Sequence, residues 1–226
     1  IKSAERQGVL VLHRTRDLLM RQRTMLLNAA RGHLAEFGLI APQGPRRMLE
    51  LIAQMREGAH TDLPEIARTA LLGIGGQLDA LAQQIQALER QLLAWHRRDT
   101  TSQRLETIPG VGIITATALA ASVPDPSVFR SGRQFAAFLG LTPRQNSSGG
   151  KDRLGHISKM GDGYLRRLLV VGATSVIRRA ETNPSATGAW VRSLMTRKPR
   201  RLTTVAMANK TARIAWAVLA RGETYR

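Results

Sequence analysis

The chain contains no cysteine among its 226 residues. Disulfide bridges and thiolate-bound metal sites are therefore excluded. The five histidines are scattered, and none forms an H-x-x-x-H pair, the spacing that places two imidazoles on one helix face for zinc. The composition thus gives no support for metal chemistry that depends on Cys or His ligands.

Aromatic residues are also scarce, at 4% of the sequence against 43% for all hydrophobic residues. A core of this composition must be built from Leu, Ala, Ile and Val. Runs of β-branched residues are few, whereas Ala, Leu, Arg and Gln are abundant, which favours helices. We therefore expect an all-α fold, with either one medium domain and an extension or two small domains.

Acidic residues are few, with 16 Asp and Glu against 34 Lys and Arg, which gives a formal net charge of +18. Such a surplus predicts a polyanionic partner. A membrane is disfavoured because no apolar run reaches the roughly 18–20 residues that span a bilayer, and because the basic residues do not lie on one amphipathic face. The partner is therefore expected to be nucleic acid.

Helical periodicity organises the first hundred residues. A long basic helix is predicted at 4–37, a short one at about 46–57, and a third at about 63–98 after a Thr61/Asp62 cap. The third helix carries apolar residues at alternating spacings of three and four, the pattern of a coiled coil. These residues, called the seam below, are Leu71, Ile74, Leu78, Leu81, Ile85, Leu88, Leu92 and Trp95.

The seam has two possible partners: helix 4–37 of the same chain, or a second chain. Sequence alone leaves both open. Gly73, Gly75 and Gly76 weaken the helix and mark either a bend or a close helix crossing. The segment 97–102 is the expected junction, so we predict domains at 1–100, the basic helix and coiled-coil region, and at 101–226.

The second predicted domain opens with two helices joined by a tight turn. Ile108 and Val111 are apolar anchors on either side of the Pro109-Gly110 pair, and Gly112 opens the second helix. Its apolar positions 113, 116, 119 and 120 are expected on one face. The glycines permit a positive-φ turn and leave backbone N–H groups bare for a phosphate. This matches a helix-hairpin-helix motif that contacts the DNA backbone through Gly110 and Gly112; an ordinary helical turn is the alternative.

Residues 144–162 read as a loop rich in glycine, hydroxyls and cations. Short side chains let a phosphate approach the backbone, and cations neutralise its charge. A serine in such a loop is a cap, a phosphate ligand or a nucleophile. The candidate nucleic-acid ligands of this loop are Arg144, Ser147, Lys151, Arg153, Ser158 and Lys159.

The remaining sequence predicts four further helices. Ser131 caps one that ends near Leu139, and helix 163–180 projects Arg166 and Arg167 from its first turn towards the loop as further nucleic-acid ligands. A short helix lies near 186–196. An exposed basic linker at 197–201 precedes a last helix at about 203–221.

Several of these segments together resemble one known family. They are Phe135-Ala-Ala-Phe-Leu-Gly-Leu-Thr-Pro-Arg144, Ser148-Gly-Gly-Lys151, His156-Ile-Ser-Lys-Met-Gly-Asp162 and Tyr164-Leu-Arg-Arg-Leu-Leu169. The pattern is similar to the C-terminal domain of the DEDD-type transposases of bacterial insertion sequences, recombinases guided by a bridge RNA. The resemblance is dense from about residue 104 to 180 and extends to the whole chain.

The resemblance implies a DNA recombinase that cuts and rejoins strands through a serine nucleophile. By its spacing to Ile157-Ser-Lys, that serine is Ser148; Ser147 takes the role if the loop aligns one residue differently. The resemblance further implies DNA and a guide RNA as partners, a homo-oligomer held by the coiled coil, and a bacterial cytoplasmic protein associated with the nucleoid.

The family also implies Mg²⁺ held by an acidic quartet in an N-terminal RNase-H-like domain. We expect that domain to be absent here, because the chain starts within a helix and lacks an initiator Met. No metal or cofactor is expected in the chain itself, because its later acids suggest no cluster and Asp162 is most simply a helix cap. These acids are Glu106, Asp125, Asp152, Asp162 and Glu181.

Two other classes of function remain open at this point. A non-catalytic helix-hairpin-helix module that binds DNA would explain residues 105–119 but leave the serine loop without a role. A basic RNA-binding or scaffolding protein would explain only the charge and the coiled coil.

Overall fold

A computed structural model describes residues 2–59, 62–151 and 153–225, whose regular secondary structure is helical apart from one short hairpin. The helices are α1 Ala4–Glu36, α2 Pro45–Arg56, α3 Glu65–His96, α4 Thr100–Glu106, α5 Ile113–Ser122, α6 Gly132–Phe138, α7 Gly163–Arg178, α8 Ala186–Met195 and α9 Arg200–Arg221. A 3₁₀ turn spans Pro126–Val128, and the strands are β1 Pro143–Gln145 and β2 Leu154–Ile157. The predicted all-α class is confirmed.

The chain divides into two compact units. One is formed by residues 11–91, and the other by residues 1–10 together with 92–226. The first seven residues of the long helix α1, residues 4–10, thus belong with the C-terminal part of the sequence. The predicted domains at 1–100 and 101–226 stay predictions.

The unit of residues 11–91 has one hydrophobic core, to which α1, α2 and α3 contribute. Its buried members are Leu27, Ala30, Leu34, Ala41, Met48, Ile52, Met55, Leu63, Leu71 and Leu78. Gly75 lies where α2 crosses α3, since a Cβ there would stand 2.6 Å from the Cγ2 atom of Ile52. Of the two explanations for the glycines of α3, a close helix crossing therefore applies to Gly75.

The seam of α3 is only partly covered. Leu71 and Leu78 are buried in the same core as residues of α1, so this part of the seam packs within the chain. Ile85, Leu92 and Trp95 are also buried, whereas Ile74, Leu81 and Leu88 are half-buried. Pairing of the seam with a second chain stays a prediction, and Thr61 of the predicted cap lies outside the described residues.

The end of α3 is tied to α4 by a polar cluster. The imidazole of His96 is 2.8 Å from the Ser102 hydroxyl through Nδ1 and 2.9 Å from Glu106 Oε2 through Nε2. Asp99 caps α4 by accepting the backbone N–H of Ser102. Because Ser102 is fully buried, its hydroxyl fixes the helix junction and is not offered to a substrate.

Helix α5 lies at the centre of its unit. Every residue from Thr115 to Ala121 is buried, so α5 is covered on all sides and not only on the predicted face of positions 113, 116, 119 and 120. Small side chains, chiefly alanine, make this possible because neighbouring helices can approach from every direction. The helix packs against both α4 and α7.

Side chains cap the helices around the hairpin as the sequence predicted. Ser131 Oγ accepts the N–H of Gln134 at the start of α6, and Asp162 Oδ1 accepts the N–H groups of Tyr164 and Leu165 at the start of α7. The last helix begins at Arg200, three residues earlier than predicted. Arg200 and Arg201 therefore form its first turn instead of ending a linker, because Pro199 is compatible with a helix N-terminus.

Among the described residues, no helix is both long enough and apolar enough to cross a membrane.

Candidate functional site

The segment predicted as a loop at 144–162 contains an antiparallel β-hairpin. Pro143 pairs with Ile157 and Gln145 with Leu154, with an irregularity in register between the two pairs. We call residues 143–157 the Ser-Gly hairpin. Its strands escape a sequence-based assignment because both of their faces are exposed, so they show no alternation of polar and apolar residues.

The tip of the Ser-Gly hairpin is a two-residue turn. Ser148 and Lys151 form an isolated bridge, in which the Lys151 N–H donates to the Ser148 carbonyl at 3.1 Å. The central residues Gly149 and Gly150 have φ values of 58° and 76°. Positive φ at both central positions is the signature of a type I′ hairpin turn, in which glycine carries no steric penalty. The Gly-Gly pair therefore places Ser148 at the end of the hairpin.

The two adjacent serines have different environments. Ser147 Oγ accepts the N–H of Arg153 at 2.9 Å and the Nε2 group of Gln145 at 2.7 Å, so its hydroxyl belongs to the structure of the hairpin. Ser148 is exposed, and its hydroxyl has no hydrogen-bond partner among the described residues. Of the two, Ser148 is the hydroxyl that an external group can reach.

Four cations lie along the Ser-Gly hairpin and the segment after it. Arg144, Lys151, Arg153 and Lys159 are all exposed. Of these four side chains, only that of Arg144 has a hydrogen-bond acceptor among the described residues, the Ser158 carbonyl at 3.5 Å from Nη2. Within the described part of 144–162 the sole acid is Asp162, whose carboxylate caps α7; Asp152 lies outside the described residues. An exposed set of cations of this kind suits a phosphate.

The base of the hairpin is fixed by Arg166. Its Nη1 group donates to the carbonyl oxygens of Leu139 at 2.9 Å and Met160 at 2.8 Å, which ties the segment after β2 to the end of α6. Arg166 thus has a structural role, and its predicted contact with nucleic acid stays a prediction. Its neighbour Arg167 is exposed and stacks on the Tyr164 ring, with Cζ 5.4 Å from the ring centroid.

Ser158 and His156 differ in their exposure. Ser158 is half-buried, and its hydroxyl accepts the Met160 N–H at 3.5 Å, so it positions the segment between β2 and α7. His156 lies exposed on β2, where it caps no turn. Contact of Ser158 with nucleic acid stays a prediction.

The two glycines of the α4–α5 turn, residues 107–112, play different structural parts. Gly110 has φ 84°, and a Cβ there would lie 2.9 Å from the Gly172 carbonyl oxygen of α7. Gly172 likewise has no room for a side chain, because its Cβ would overlap the Gly110 carbonyl. This half of the turn is therefore packed against α7, which a phosphate-binding role alone does not require.

Gly112, in contrast, is exposed and has no neighbour within 4 Å of where its Cβ would be. It is the N-cap of α5 and offers no side chain to bond the first N–H groups of the helix. The first backbone bond of α5 runs from the Ala116 N–H to the Gly112 carbonyl. The N–H groups before Ala116 have no such helical partner, which is the condition for accepting an anion.

Metal ligands are not clustered in the part of the chain that the structure describes, where no three His, Asp or Glu side chains come close enough to hold an ion. The site consists of an exposed hydroxyl, cations and backbone N–H groups.

An all-α chain of net charge +18 with an exposed serine on a cationic hairpin has the characteristics of proteins that act on nucleic acids. Comparison with known sequences is more specific. The sequence profile described as "Transposase IS116/IS110/IS902 family" matches residues 102–188, a range that includes the α4–α5 turn and the Ser-Gly hairpin.

Relatives align with the whole chain. "Probable family 20 transposase" of Pseudomonas aeruginosa is 46% identical over 227 positions, which cover all of this chain and 67% of that protein. "Putative transposase y4pF/y4sB" of Sinorhizobium fredii is 45% identical over 227 positions, all of this chain and 58% of that protein. "Transposase for insertion sequence element IS1111A" of Coxiella burnetii is 38% identical over 225 positions, all of this chain and 62% of that protein.

The chain belongs to the IS116/IS110/IS902 family of transposases. It spans 58% to 67% of the length of these three relatives.

Proposed function

We propose that this chain forms part of a DNA transposase of an insertion sequence, and that Ser148 is the nucleophile that cuts and rejoins DNA strands. The observation that carries the proposal is the exposed Ser148 hydroxyl, held by a Gly-Gly turn at the tip of a hairpin that also carries exposed cations. A nucleophile for a phosphodiester has to project from the protein surface, because the scissile phosphate lies within a duplex. The family membership supports the same reaction class.

The chemical step is a phosphoryl transfer. Ser148 Oγ forms a bond to phosphorus, one phosphorus–oxygen bond to deoxyribose breaks, and the serine proton ends on the leaving deoxyribose hydroxyl. The phosphoserine link keeps the bond energy, so a hydroxyl of another strand end can attack it, rejoin the DNA and return a proton to serine. Lys151 and Arg153 stabilise the negative charge on the phosphate oxygens during both transfers.

A serine hydroxyl is a weak nucleophile and needs a base or metal for activation. His156 is the nearest imidazole in sequence, and the structure records no hydrogen bond between it and Ser148. The proposal therefore assigns activation, and any Mg²⁺ that the resemblance implies, to carboxylates of another domain or another subunit. For this reason we expect the 226-residue chain by itself to bind DNA without cutting it.

Contacts with the DNA backbone are assigned to two surfaces. The exposed Gly112 and the N-terminus of α5 accept a phosphate, as in a helix-hairpin-helix motif. The cations of the Ser-Gly hairpin neutralise phosphates nearer the scissile bond. Gly110 supports the first surface indirectly, because its packing on Gly172 fixes the turn.

Two partners extend the proposal. A guide RNA is supported by the resemblance and by the net charge, which suits any polyanion. A homo-oligomer through α1 and α3 is supported by the half-buried positions of the seam, Ile74 and Leu81. Recombination holds two DNA ends together, so an oligomer is the expected working state.

The test uses the full-length protein and a DNA substrate of its insertion sequence, labelled at one end. The wild type is expected to form a covalent protein–DNA adduct that survives denaturing electrophoresis, and to produce joined strands. Ser148→Ala is expected to lose both products while keeping DNA affinity within about twofold, because cations supply most of the affinity. Ser193→Ala, another exposed serine, is the matched control and should retain activity.

Each outcome of this test is informative. Cutting and joining by Ser148→Ala at near wild-type rates would end the nucleophile proposal. If only Ser147→Ala lost the adduct and the joined product, the nucleophile would be Ser147, and the inference drawn from the exposure of the Ser148 hydroxyl would be wrong. Tight binding without any adduct or joined product in the wild type would favour a non-catalytic DNA-binding module.

A further inference from the structure

A second basic surface, with no lining residue in common with the Ser-Gly hairpin, is an open groove formed by α6, α8 and α9. We call it the tryptophan groove. Its volume is about 760 Å³, within the range of roughly 300–1,000 Å³ usual for ligand sites. The side chains that give it chemical character are Arg133, Trp190, Lys210, Arg213 and Trp216.

Two of the three tryptophans of the chain line this groove. The third, Trp95, is buried and donates its Nε1–H to the Glu5 carboxylate at 3.0 Å, so it serves the core. Trp190 and Trp216 are only half-buried. In a sequence with 4% aromatic residues, partial exposure of two tryptophans at one groove indicates a surface for a flat ligand.

The ring of Trp216 is held in a fixed orientation. Its Nε1–H donates to the Pro126 carbonyl at 3.1 Å. Nearby, α6 approaches α9 so closely that a Cβ on Gly132 would lie 2.9 Å from the Arg213 carbonyl oxygen. The groove is thus built on a rigid contact between two helices, and its shape does not depend on a mobile loop.

The groove is positively charged. The Lys210 ammonium lies 4.3 Å from the centroid of the Trp190 ring, a cation–π contact that keeps this charge in the groove. Arg133 and Arg213 are exposed. No acid is among the described residues that line the groove, and none of these three cations forms an ion pair with a described acid.

From this combination we infer that the tryptophan groove binds an unpaired nucleotide of single-stranded DNA. A base stacks on the Trp190 face and displaces Lys210, whose ammonium then pairs with the adjacent phosphate. Arg133 and Arg213 bind the phosphates on either side. Stacking of a base on an aromatic side chain beside cations is the usual mode of sequence-independent single-strand binding.

A single strand fits this groove better than a duplex does. In a duplex, the faces of each base are covered by neighbouring bases, so only phosphates would reach the cations and the tryptophans would have no function. DNA is chosen as the occupant because the chain belongs to a transposase family, whose substrate is DNA. The inference does not depend on Ser148 or on catalysis, so the two proposals can fail separately.

The test measures fluorescence anisotropy of three labelled probes with the 226-residue chain: a fifteen-nucleotide oligothymidylate, a duplex of the same length, and the matching oligouridylate. Trp190→Ala is expected to weaken oligothymidylate binding about 5- to 150-fold, the equivalent of about 1–3 kcal/mol for one stacked base. Duplex affinity should stay within about twofold. Trp190→Phe keeps an aromatic face and should bind almost as the wild type.

Lys210→Met provides a second measurement that does not remove the ring. It should lower the slope of log affinity against log salt by about 0.7 for the single strand, the value for one phosphate contact, and leave the duplex slope unchanged. Equal losses on single strand and duplex would overturn the inference, as would no loss in either variant. A loss confined to the oligouridylate would identify RNA as the occupant and overturn the DNA assignment.

Discussion

Ser147 and Ser148 are consecutive residues with hydroxyls in different environments. The Ser147 hydroxyl accepts two hydrogen bonds inside the hairpin, whereas Ser148 is exposed. The pair therefore separates the stability of the hairpin from the chemistry proposed at its tip.

Ser147→Ala should loosen the Ser-Gly hairpin, and Ser148→Ala should not. Removing the Ser147 hydroxyl leaves the Arg153 N–H without its acceptor, at a cost of about 0.5–1.5 kcal/mol for one net hydrogen bond. Amide hydrogen exchange at Arg153 is expected to accelerate about 2- to 10-fold in Ser147→Ala. Faster exchange at Arg153 in Ser148→Ala than in Ser147→Ala would contradict the assignment.

The contact between Gly110 and Gly172 predicts a large effect of a small substitution. A Cβ added by Gly172→Ala would overlap the Gly110 carbonyl, whose carbon lies 3.0 Å from that position. The position of the Cβ and that of the carbonyl are both fixed by the backbone, so neither can rotate away. We therefore expect a loss of about 1–3 kcal/mol or more in the free energy of unfolding. Urea denaturation measures it.

Gly163→Ala is the control for this substitution in the same helix. Its Cβ would be 3.4 Å from the Arg166 Nη2 group, an ordinary van der Waals distance, and would meet no backbone atom of another helix or strand within 4 Å. The stability should therefore change by no more than about 0.5 kcal/mol. Equal stability of the two variants would mean that the α4–α5 turn is not clamped on α7.

The sequence predicted the long elements well and the contacts between them poorly. Helix α3 was expected at 63–98 and is observed at Glu65–His96, because heptad spacing is a property of the local sequence. The Ser-Gly hairpin depends instead on Arg166, which binds the carbonyl of Met160 and also that of Leu139, 27 residues earlier in the sequence. No local pattern encodes such a contact.

The candidate site was predictable in composition but not in geometry. The Gly-Ser loop and its cations were recognised from the sequence, whereas the distinction between the two serines required the positions of the hydrogen-bond donors. Gly110 was assigned to phosphate binding, and its packing against Gly172 became visible only in three dimensions. The tryptophan groove was missed because Trp190 and Trp216 are separated in sequence and each alone suggests core.

His13 predicts a pH dependence of stability. Burial lowers the pKa of His13 from 6.5 to about 4, with a smaller contribution from the Arg16 charge. Between these values the unfolded chain binds a proton that the folded chain excludes. The free energy of unfolding therefore falls as the pH decreases from 6.5 towards 4, and this loss is absent above pH 6.5. A shift of this size corresponds to about 3 kcal/mol.

The pH effect is isolated by comparison with His13→Gln, which does not titrate. Urea denaturation at pH 7 and at several values down to pH 4 should give a steeper loss of stability for the wild type than for the variant. The variant is expected to show a shallower slope of the free energy of unfolding against pH than the wild type, whatever its stability at pH 7. Parallel curves for the two proteins would contradict a depressed pKa at His13.

The proposed oligomer is tested with exposed residues of α1, because the buried residues of the seam are needed for folding. Leu78 is 2% exposed and part of the core of residues 11–91, so Leu78→Asp would unfold that unit and say nothing about assembly. Val11, Leu18 and Met25 of α1 are instead 55%, 47% and 69% exposed and are spaced by seven residues. Met25 also lines one groove with the half-buried Leu81 of α3.

We expect sedimentation to find the wild type oligomeric at micromolar concentration and the double variant Leu18→Asp/Met25→Asp monomeric with unchanged helicity. Burial of these two side chains between subunits is worth about 3–6 kcal/mol, which the aspartates remove. Val128→Asp, at an isolated valine that is 66% exposed, is the matched control and should not alter assembly. A monomeric wild type would mean that the seam packs only within the chain. An oligomer that persists in the double variant would place the interface elsewhere, because aspartates at two successive positions of a heptad stripe cannot remain buried unpaired.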